Sequence, residues 1–191
     1  LTGEAHIYFD NGKLSTVSTY KSGKKIGESK WYWKNGKLRG SVSFNENGKM
    51  TGEWKEYHEN GQLANNGNYE NGEKTGSWHY YFDNGQLYSL GVIKNGSSIG
   101  SWKLYHKDGT SRGIAQYDED GRQTGEWNYY YQNGKLEHLE IYNNYKRYNG
   151  EWKFYNEQGT LIKTEIYTDG KETGDWKFYD EKGHLIKIEK Y

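Results

Sequence analysis

Residues Gly150–Tyr167 read GEWKFYNEQGTLIKTEIY, and the rest of the chain is this stretch seven more times, with drift. Counting from Gly150, Trp152 is the second residue on, Tyr155 the fifth, Gly159 the ninth, Leu161 the eleventh and Tyr167 the seventeenth. A turn-like TDGKET follows, and Gly174 restarts the pattern. The starting glycines are Gly3, Gly27, Gly52, Gly76, Gly100, Gly125, Gly150 and Gly174, spaced by 24 or 25 residues. A period in this range marks a repeat array. One array over residues 1–191 is therefore expected, in place of the one or two domains that length alone would give.

The phases are well kept. Position 5 is tyrosine and position 9 glycine in all eight repeats, and position 11 is leucine except at Ser111. Position 17 is Tyr20, Phe44, Tyr69, Ile93, Tyr117, Tyr142, Tyr167 and Tyr191. Position 2 is tryptophan from Trp54 to Trp176, with Ala5 and Ser29 in the first two repeats.

Each repeat reads as a β-hairpin. An aromatic first strand meets an Asn-Gly or Asp-Gly turn, such as Asn60-Gly61 or Asp108-Gly109, which supplies the positive φ of a tight hairpin. A second strand runs from the leucine to position 17, and a second glycine turn, such as Asn71-Gly72, leads on. The sixth repeat has Asn144-Tyr145-Lys146 where that glycine should be. Turns about 12 residues apart with no helical apolar period predict an all-β, elongated, single-layer antiparallel meander of about eight hairpins and about sixteen strands.

Register decides which residues share a face, because a one-residue slip exchanges the faces. A two-residue first loop would set Trp152 opposite Glu165. A three-residue loop with Gly159 in a left-handed bulge sets Trp152 opposite Thr164 and Phe154 opposite Ile162. Apolar clustering favours the second: Trp152, Phe154, Ile162 and Ile166 then share one face. Glu151, Lys153, Lys163, Glu165, Tyr155, Leu161 and Tyr167 take the other. The last three repeats are thereby expected to keep one regularly charged face, through Lys153, Lys163, Glu165, Lys177, Lys187 and Glu189. In repeats two to five, Gly40, Gly67, Gly91 and Gly113 interrupt the second strands. Either neighbouring rings cover this bare backbone, or a partner approaches it.

Composition narrows the function classes. Apolar residues make up 32% of the chain, below the ~45–50% of ordinary globular domains, which leaves too little for a thick core. At 17% aromatic, the chain is nevertheless not a disordered one. With 26 basic and 26 acidic residues the net charge is zero, which supports neither nucleic acid nor an anionic membrane as partner. No apolar run is long enough to span a bilayer, and no signal peptide is visible. There is no cysteine, so disulfides and thiolate metal sites are excluded, and no proline to block strand pairing. The chain opens mid-period at Leu1-Thr2-Gly3, like Lys49-Met50-Thr51-Gly52, so a preceding N-terminal segment is expected.

The pattern G-E/S-W-x-x-Y-x-x-N/D-G-x-L, then Tyr or Phe, then x-x-G-x-x-x-G, resembles the bacterial variant of the MORN repeat (membrane occupation and recognition nexus). The segment Asn71–Tyr81, NGEKTGSWHYY, is typical of it. The resemblance covers the whole chain and implies a β-hairpin array that binds another protein. Bacterial proteins built from it are often grouped with an antitoxin family, the immunity partners of secreted toxins. The eukaryotic form is linked to membranes and scaffolding; this chain departs from it in period and in neutral charge. Choline- and glucan-binding repeats also stack hairpins rich in Gly, Trp and Tyr, but their period is shorter and their aromatic cluster falls late in the repeat.

Little in the sequence carries chemistry. His6, His58, His79, His106, His138 and His184 occupy four phases and form no ligand pair, so exposed strand or turn positions are expected. No nucleophile, base and orienting residue are singled out together. The recurring Glu53, Glu126 and Glu151 are expected to pair with lysines across strands. The expectation is a non-enzymatic protein-binding array without cofactor or metal, in its sharpest form an immunity protein that blocks a bacterial toxin. The alternative is a glycan-binding or structural module of the bacterial envelope. The first would be cytoplasmic; the second would be exported behind a signal peptide. The candidate partner-binding residues are Trp54, Trp78 and Trp102 with Tyr57, Tyr81 and Tyr105, on the tyrosine-bearing face of residues 52–117. Rigid rings give contact area at low entropic cost.

Overall fold

The computed structural model describes residues 1–143, 146–147 and 150–191. It is all-β, an antiparallel meander of hairpins. The strands are β1 (Gly3–Tyr8), β2 (Leu14–Lys21), β3 (Lys24–Tyr32), β4 (Leu38–Phe44), β5 (Met50–Tyr57), β6 (Leu63–Glu70), β7 (Glu73–Tyr81), β8 (Leu87–Lys94) and β9 (Ser97–Tyr105). The chain continues with β10 (Ser111–Tyr117), β11 (Gly125–Tyr130), β12 (Leu136–Asn143), β13 (Lys146–Arg147), β14 (Gly150–Tyr155), β15 (Leu161–Thr168), β16 (Lys171–Glu172), β17 (Asp175–Tyr179) and β18 (Leu185–Lys190). These eighteen described segments exceed the expected sixteen because the two-residue β13 and β16 stand apart, where β3, β5 and β7 run on unbroken. The Asn144-Tyr145 step of the sixth repeat lies outside the described residues. The chain divides into two compact units, Leu1–Ser97 and Ser98–Tyr191.

The first turn is the same in all eight repeats. In the seventh, the amide of Asn156 donates to the carbonyl of Thr160 at 2.9 Å and that of Gly159 to the carbonyl of Asn156 at 2.8 Å. Gly159 has φ 85°, so this is the expected three-residue loop with a left-handed glycine. The second turn comes in two kinds, which follow the spacing in the six repeat steps other than Gly125–Gly150. Where the spacing is 24, two positive-φ residues make the turn, as in Asn71 (φ 51°) and Gly72 (φ 91°). At two of the three 25-residue spacings a three-residue loop appears, with Gly48 donating to Asn45 at 2.8 Å and Gly121 to Asp118 at 3.0 Å; in the sixth repeat Asn143 pairs with Lys146.

The expected register does not hold, although the expected first turn does. Tyr155 pairs with Leu161 as that turn dictates, but Phe154 then pairs with Lys163 and Trp152 with Glu165. Ile162 is an extra residue, a second bulge just beyond the turn. The same bulge follows position 5 in every repeat, at Ser15, Arg39, Ala64, Tyr88, Arg112, Glu137, Ile162 and Ile186. It shifts each hairpin by one residue and exchanges the faces of the second strand. Trp152, Glu165, Lys163 and Tyr167 therefore share one face with Phe154, and Ile166 and Thr164 lie on the other with Lys153 and Glu151. The six residues expected to form one charged face are split. Lys163, Glu165, Lys187 and Glu189 join the tryptophans, while Lys153 and Lys177 lie opposite.

The indole-bearing face holds the core. Trp78, Trp102, Trp127, Trp152 and Trp176 are all buried. They interleave with the rings of position 17. In the N-terminal unit Trp31, Trp54, Tyr69 and Trp78 follow one another at centroid spacings of 5.1, 5.4 and 5.6 Å. In the C-terminal unit the ladder runs from Trp102 through Tyr117, Trp127, Tyr142, Trp152, Tyr167 and Trp176 to Tyr191, at spacings from 6.4 Å down to 4.4 Å. Tilted and edge-on rings at these distances gain more than their area alone.

Consecutive repeats are also tied at the first-turn edge. The position-6 side chain reaches the backbone carbonyl of the next position-5 tyrosine: Trp33 to Tyr57 at 3.0 Å, His58 to Tyr81 at 2.9 Å, His106 to Tyr130 at 2.7 Å and Tyr131 to Tyr155 at 2.7 Å. Turn asparagines make a parallel row, with Asn35 donating to the Glu59 carbonyl at 3.1 Å and Asn60 to that of Asp83 at 2.6 Å.

Candidate protein-binding surface

The face opposite the indoles carries positions 1, 3 and 5 of each first strand and positions 11, 14 and 16 of each second. Along its middle row in the N-terminal unit stand Lys30, Ser41, Lys55, Asn66, His79 and Leu90, each paired with the next. Glutamate at position 1 pairs with lysine at position 3 of the same strand: Glu28 with Lys30 at 2.9 Å, Glu53 with Lys55 at 2.8 Å and Glu151 with Lys153 at 3.5 Å. For Glu53 and Glu151 the expected cross-strand pairing is thus replaced by a pairing along the strand, since residues two apart project on one side; Glu126 has Asn128 at that place. These pairs raise the pKa of Lys30 and Lys55, mainly through the hydrogen bond each makes to its glutamate. Both lysines are exposed to solvent, so the pairs serve solubility more than stability.

Repeat four breaks this lattice. Its positions 1 and 3 are Ser77 and His79, so neither fixed charge is present. Opposite them, Ser77 pairs with Val92 and His79 with Leu90, where the preceding repeat has Asn68 and Asn66. Val92 is 42% exposed, and Tyr81 stacks on His79 at 6.5 Å. The result is a neutral, partly apolar stretch on the tyrosine-bearing face, bounded in repeat three by Glu53 and Lys55. Comparing positions 1 and 3 across the repeats would have exposed it in the sequence.

The sequence-derived candidates divide between the faces. Tyr57, Tyr81 and Tyr105 are half-buried on the neutral face. Trp54, Trp78 and Trp102 lie on the opposite face, with Trp78 at 0% and Trp102 at 8% exposure. The strand glycines belong with the indoles. A side chain at Gly67 would overlap the indole of Trp78, and one at Gly40 would lie 2.8 Å from Trp31 and from the Lys55 carbonyl. At Gly113 it would strike the Asn128 carbonyl. At these three glycines the chain's own rings and backbone occupy the space, and no open groove is left.

The indole face of the C-terminal unit carries a repeated polar clamp that sequence reasoning missed. Tyr142 donates its hydroxyl to Glu140 at 2.7 Å and Tyr167 to Glu165 at 2.8 Å, and Tyr191 does the same to Glu189 at 3.1 Å. Glu165 in turn pairs with Lys163 and Glu189 with Lys187. The Lys163 ammonium lies 4.8 Å from the Trp176 ring and 5.7 Å from that of Phe154. Glu189 is held below the usual carboxylate range, first by its hydrogen bond from Lys187 and then by that from Tyr191. His138 takes the cation's place in repeat six, stacked on Tyr129 at 4.3 Å and on Phe154 at 5.7 Å. Burial pushes its pKa down, against the pull of Glu140 and Glu137. The expectation of exposed histidines fails here, and His58 and His106 serve as inter-repeat ties.

Among the described residues no three His, Cys, Asp or Glu side chains converge as metal ligands. None of them forms a helix long and apolar enough to cross a membrane.

Two much longer chains of solved structures align with most of this chain at low identity. A TcdB2–TccC3–Cdc42 crystal structure matches at 11% identity, with 92% of this chain and 13% of that chain covered and a TM-score of 0.22. A Photorhabdus luminescens Tc holotoxin pore matches at 13% identity, 92% and 13% coverage and the same TM-score of 0.22. This chain thus spans only about an eighth of either. No curated protein matches it. The MORN repeat variant model matches residues 1–22, 25–46, 50–71, 123–144, 148–169 and 172–191. The unmatched stretch, 72–122, contains repeats four and five, where the charge lattice lapses and where Ile93 and Ser111 depart from the consensus. With most of its length matched, and with a hairpin for each repeat, the chain belongs to the MORN repeat variant family.

Proposed function

We propose that this chain is a non-enzymatic scaffold that binds another protein on the neutral face of repeats three and four, and that its partner is a bacterial toxin which it holds inactive. The observation that carries the reading is the lapse of the Glu–Lys lattice at Ser77 and His79, beside exposed Val92. Depletion of charge around a tyrosine marks the centre of many interfaces. Tyr57 and Tyr81 supply the rings, and Glu53 and Lys55 form the charged rim. The regular hairpins hold that surface in place, and the indole ladder behind it supplies rigidity.

Restoring the lattice tests this. The double variant Ser77→Glu, His79→Lys places on repeat four the pair that repeats two, three and seven carry. Captured partners from the native source should be lost with that variant and with Tyr81→Ala. They should be kept with Tyr155→Ala and Tyr179→Ala, all four proteins remaining folded by circular dichroism. Equal capture by the double variant and the parent chain would end the proposal for this face.

A further inference from the structure

We infer that the second turns of the N-terminal unit are sites of spontaneous deamidation, with Asn95 converted first, then Asn47 and then Asn71. The co-reactant is water. The chain holds ten Asn-Gly steps, and a glycine without a β-carbon leaves its nitrogen unobstructed as it closes on the preceding carboxamide. Asn149 lies outside the described residues, which leaves nine steps to compare. They differ in what the carboxamide holds.

In the first turns the carboxamide is engaged. The side-chain oxygens of Asn11, Asn35, Asn60, Asn84 and Asn133 each accept from the backbone amide two residues on, at 2.9 to 3.1 Å. Asn11, Asn35, Asn60 and Asn133 also donate from the side-chain nitrogen to a carbonyl of the next repeat, at 2.6 to 3.1 Å. Asn66 stands in β6, where Gly67 is paired with Trp54 in the ladder. Asn47, Asn71 and Asn95 are exposed, and among the described residues their carboxamides make no hydrogen bond. At Asn47 the cause is local: the Asn45 side chain takes the amides of both Asn47 and Lys49, at 3.0 and 3.1 Å. At Asn71 and Asn95 the turn is only two residues long, so the amide two residues on begins the next strand. The turn glycine amides do not separate the sets, since each donates to a carbonyl: Gly12 to Phe9 at 3.0 Å, Gly72 to Met50 at 2.8 Å and Gly96 to Lys74 at 3.0 Å.

Attack requires the glycine nitrogen to lose its proton, so neighbouring charge orders the three. Glu70 and Glu73 face each other across the Asn71 turn and oppose a developing anion. Lys94 and Ser97 hold those places at Asn95, and Asn47 has one charge of each sign beside its turn, Glu46 and Lys49. In the reaction a solvent base takes the Gly96 amide proton, and the nitrogen bonds to Cγ of Asn95. The bond from Cγ to the side-chain nitrogen breaks, and that nitrogen takes a proton from water and leaves as ammonia. Water then opens the ring: attack at the side-chain carbonyl yields aspartate, attack at the backbone carbonyl isoaspartate. While the ring lasts Gly96 has no N–H, and its bond to the Lys74 carbonyl, which ties adjacent second turns, is lost. The aspartate product fits, because Asp169 already holds this place in repeat seven at φ 48°, beside 49° for Asn95. Each conversion adds a negative charge to a chain whose formal net charge is zero.

The test is ageing of the full chain at physiological temperature and mildly alkaline pH. Timed samples are digested and read by peptide mass spectrometry, with isoaspartate counted by an isoaspartyl methyltransferase and labelled S-adenosylmethionine. In the folded chain Asn95 should convert several-fold faster than Asn35 or Asn133. In guanidinium the first-turn asparagines lose their hydrogen bonds, and the gap should close. Glu70→Lys with Glu73→Ser gives Asn71 the neighbours of Asn95 and should raise its rate to match. Asn95→Ser, the residue that Ser22 supplies in the corresponding turn of repeat one, should remove the fastest signal and leave the circular dichroism unchanged. First-turn asparagines that convert as fast as Asn95 in the folded chain, or a gap that survives in guanidinium, would overturn the proposal. So would an Asn71 rate untouched by the double variant.

Discussion

The two halves of this chain cover the same indoles by opposite means. In the N-terminal unit the residues across from the rings are small: Gly67 faces Trp54, and Gly91 faces Trp78. The next indole lies over the bare backbone, and Trp78 reaches 0% exposure. In the C-terminal unit Glu140, Glu165 and Glu189 face Trp127, Trp152 and Trp176. Trp152 is still only 3% exposed, because Tyr167, Glu165 and Lys163 close over the ladder as a hydrogen-bonded clamp. Burial of a large ring is thus compatible with either a vacancy or a charge at position 15. The vacancy relies on shape, the clamp on completed polar partners.

Removing the indole should hurt both halves most. Trp78→Ala and Trp152→Ala are each expected to cost about 3–5 kcal/mol in denaturant melts. A much smaller loss for Trp152→Ala would show that the clamp, not the ring, carries the C-terminal unit. Next in size is Gly67→Ala, expected at about 2–3 kcal/mol because the added methyl overlaps the Trp78 indole. The same methyl exists naturally at Ala115, opposite Trp102, so the cost should belong to the local fit. Combining Gly67→Ala with Trp78→Ala should therefore cost less than the sum of the two. Strict additivity would count against a shape-based mechanism.

The clamp comes third. Glu165→Ala leaves Lys163 without its carboxylate and Tyr167 without its acceptor. About 1–2 kcal/mol is expected, below the ~3–5 of a fully buried pair because Lys163 keeps contact with water. Glu189→Ala, at a more exposed site, should cost less. A larger loss at Glu189 would mean that the clamp is not a means of covering the ladder.

Much of this was legible in the sequence. The period and the turn residues follow from local rules, and Gly159 and Asn71-Gly72 take the conformations those rules assign. The faces were not legible, since the bulge at Ile162 has no residue signature: its counterparts range from Ser15 and Ala64 to Arg39 and Tyr88. Apolar clustering then misled, because Lys163 and Glu165 belong beside Trp152 once they satisfy each other and Tyr167. A rule that sorts side chains by polarity alone cannot see a pair that is buried together. The neutral stretch at Ser77 and His79 was visible as a departure from the repeat, but only once Glu53 and Lys55 were known to share a strand face.

The smallest expected effect separates repeat six from repeats seven and eight. His138 stands where Lys163 and Lys187 stand, so this clamp is complete only when the imidazole is protonated. Glu140 lies 3.8 Å from one ring nitrogen and Glu137 3.9 Å from the other, and both favour the cation. Burial between Tyr129 and Phe154 opposes it more strongly, Arg112 adds a lesser opposing push, and the net shift is downward. A histidine with a lowered pKa in the folded state contributes stability that is present above its unfolded pKa of about 6.5 and is lost as pH falls through the folded value. Lowering the pH from about 7.5 to about 5.5 should therefore destabilise the C-terminal unit modestly through this residue. The ring resonances of His138 should titrate below the ordinary histidine range in NMR. His138→Lys installs the permanent cation of the later repeats, and the part of the pH dependence due to His138 should disappear. If His138 titrated above that range, or if the variant kept the same slope, the carboxylates rather than burial would govern the site. Repeat six would then already behave like its neighbours.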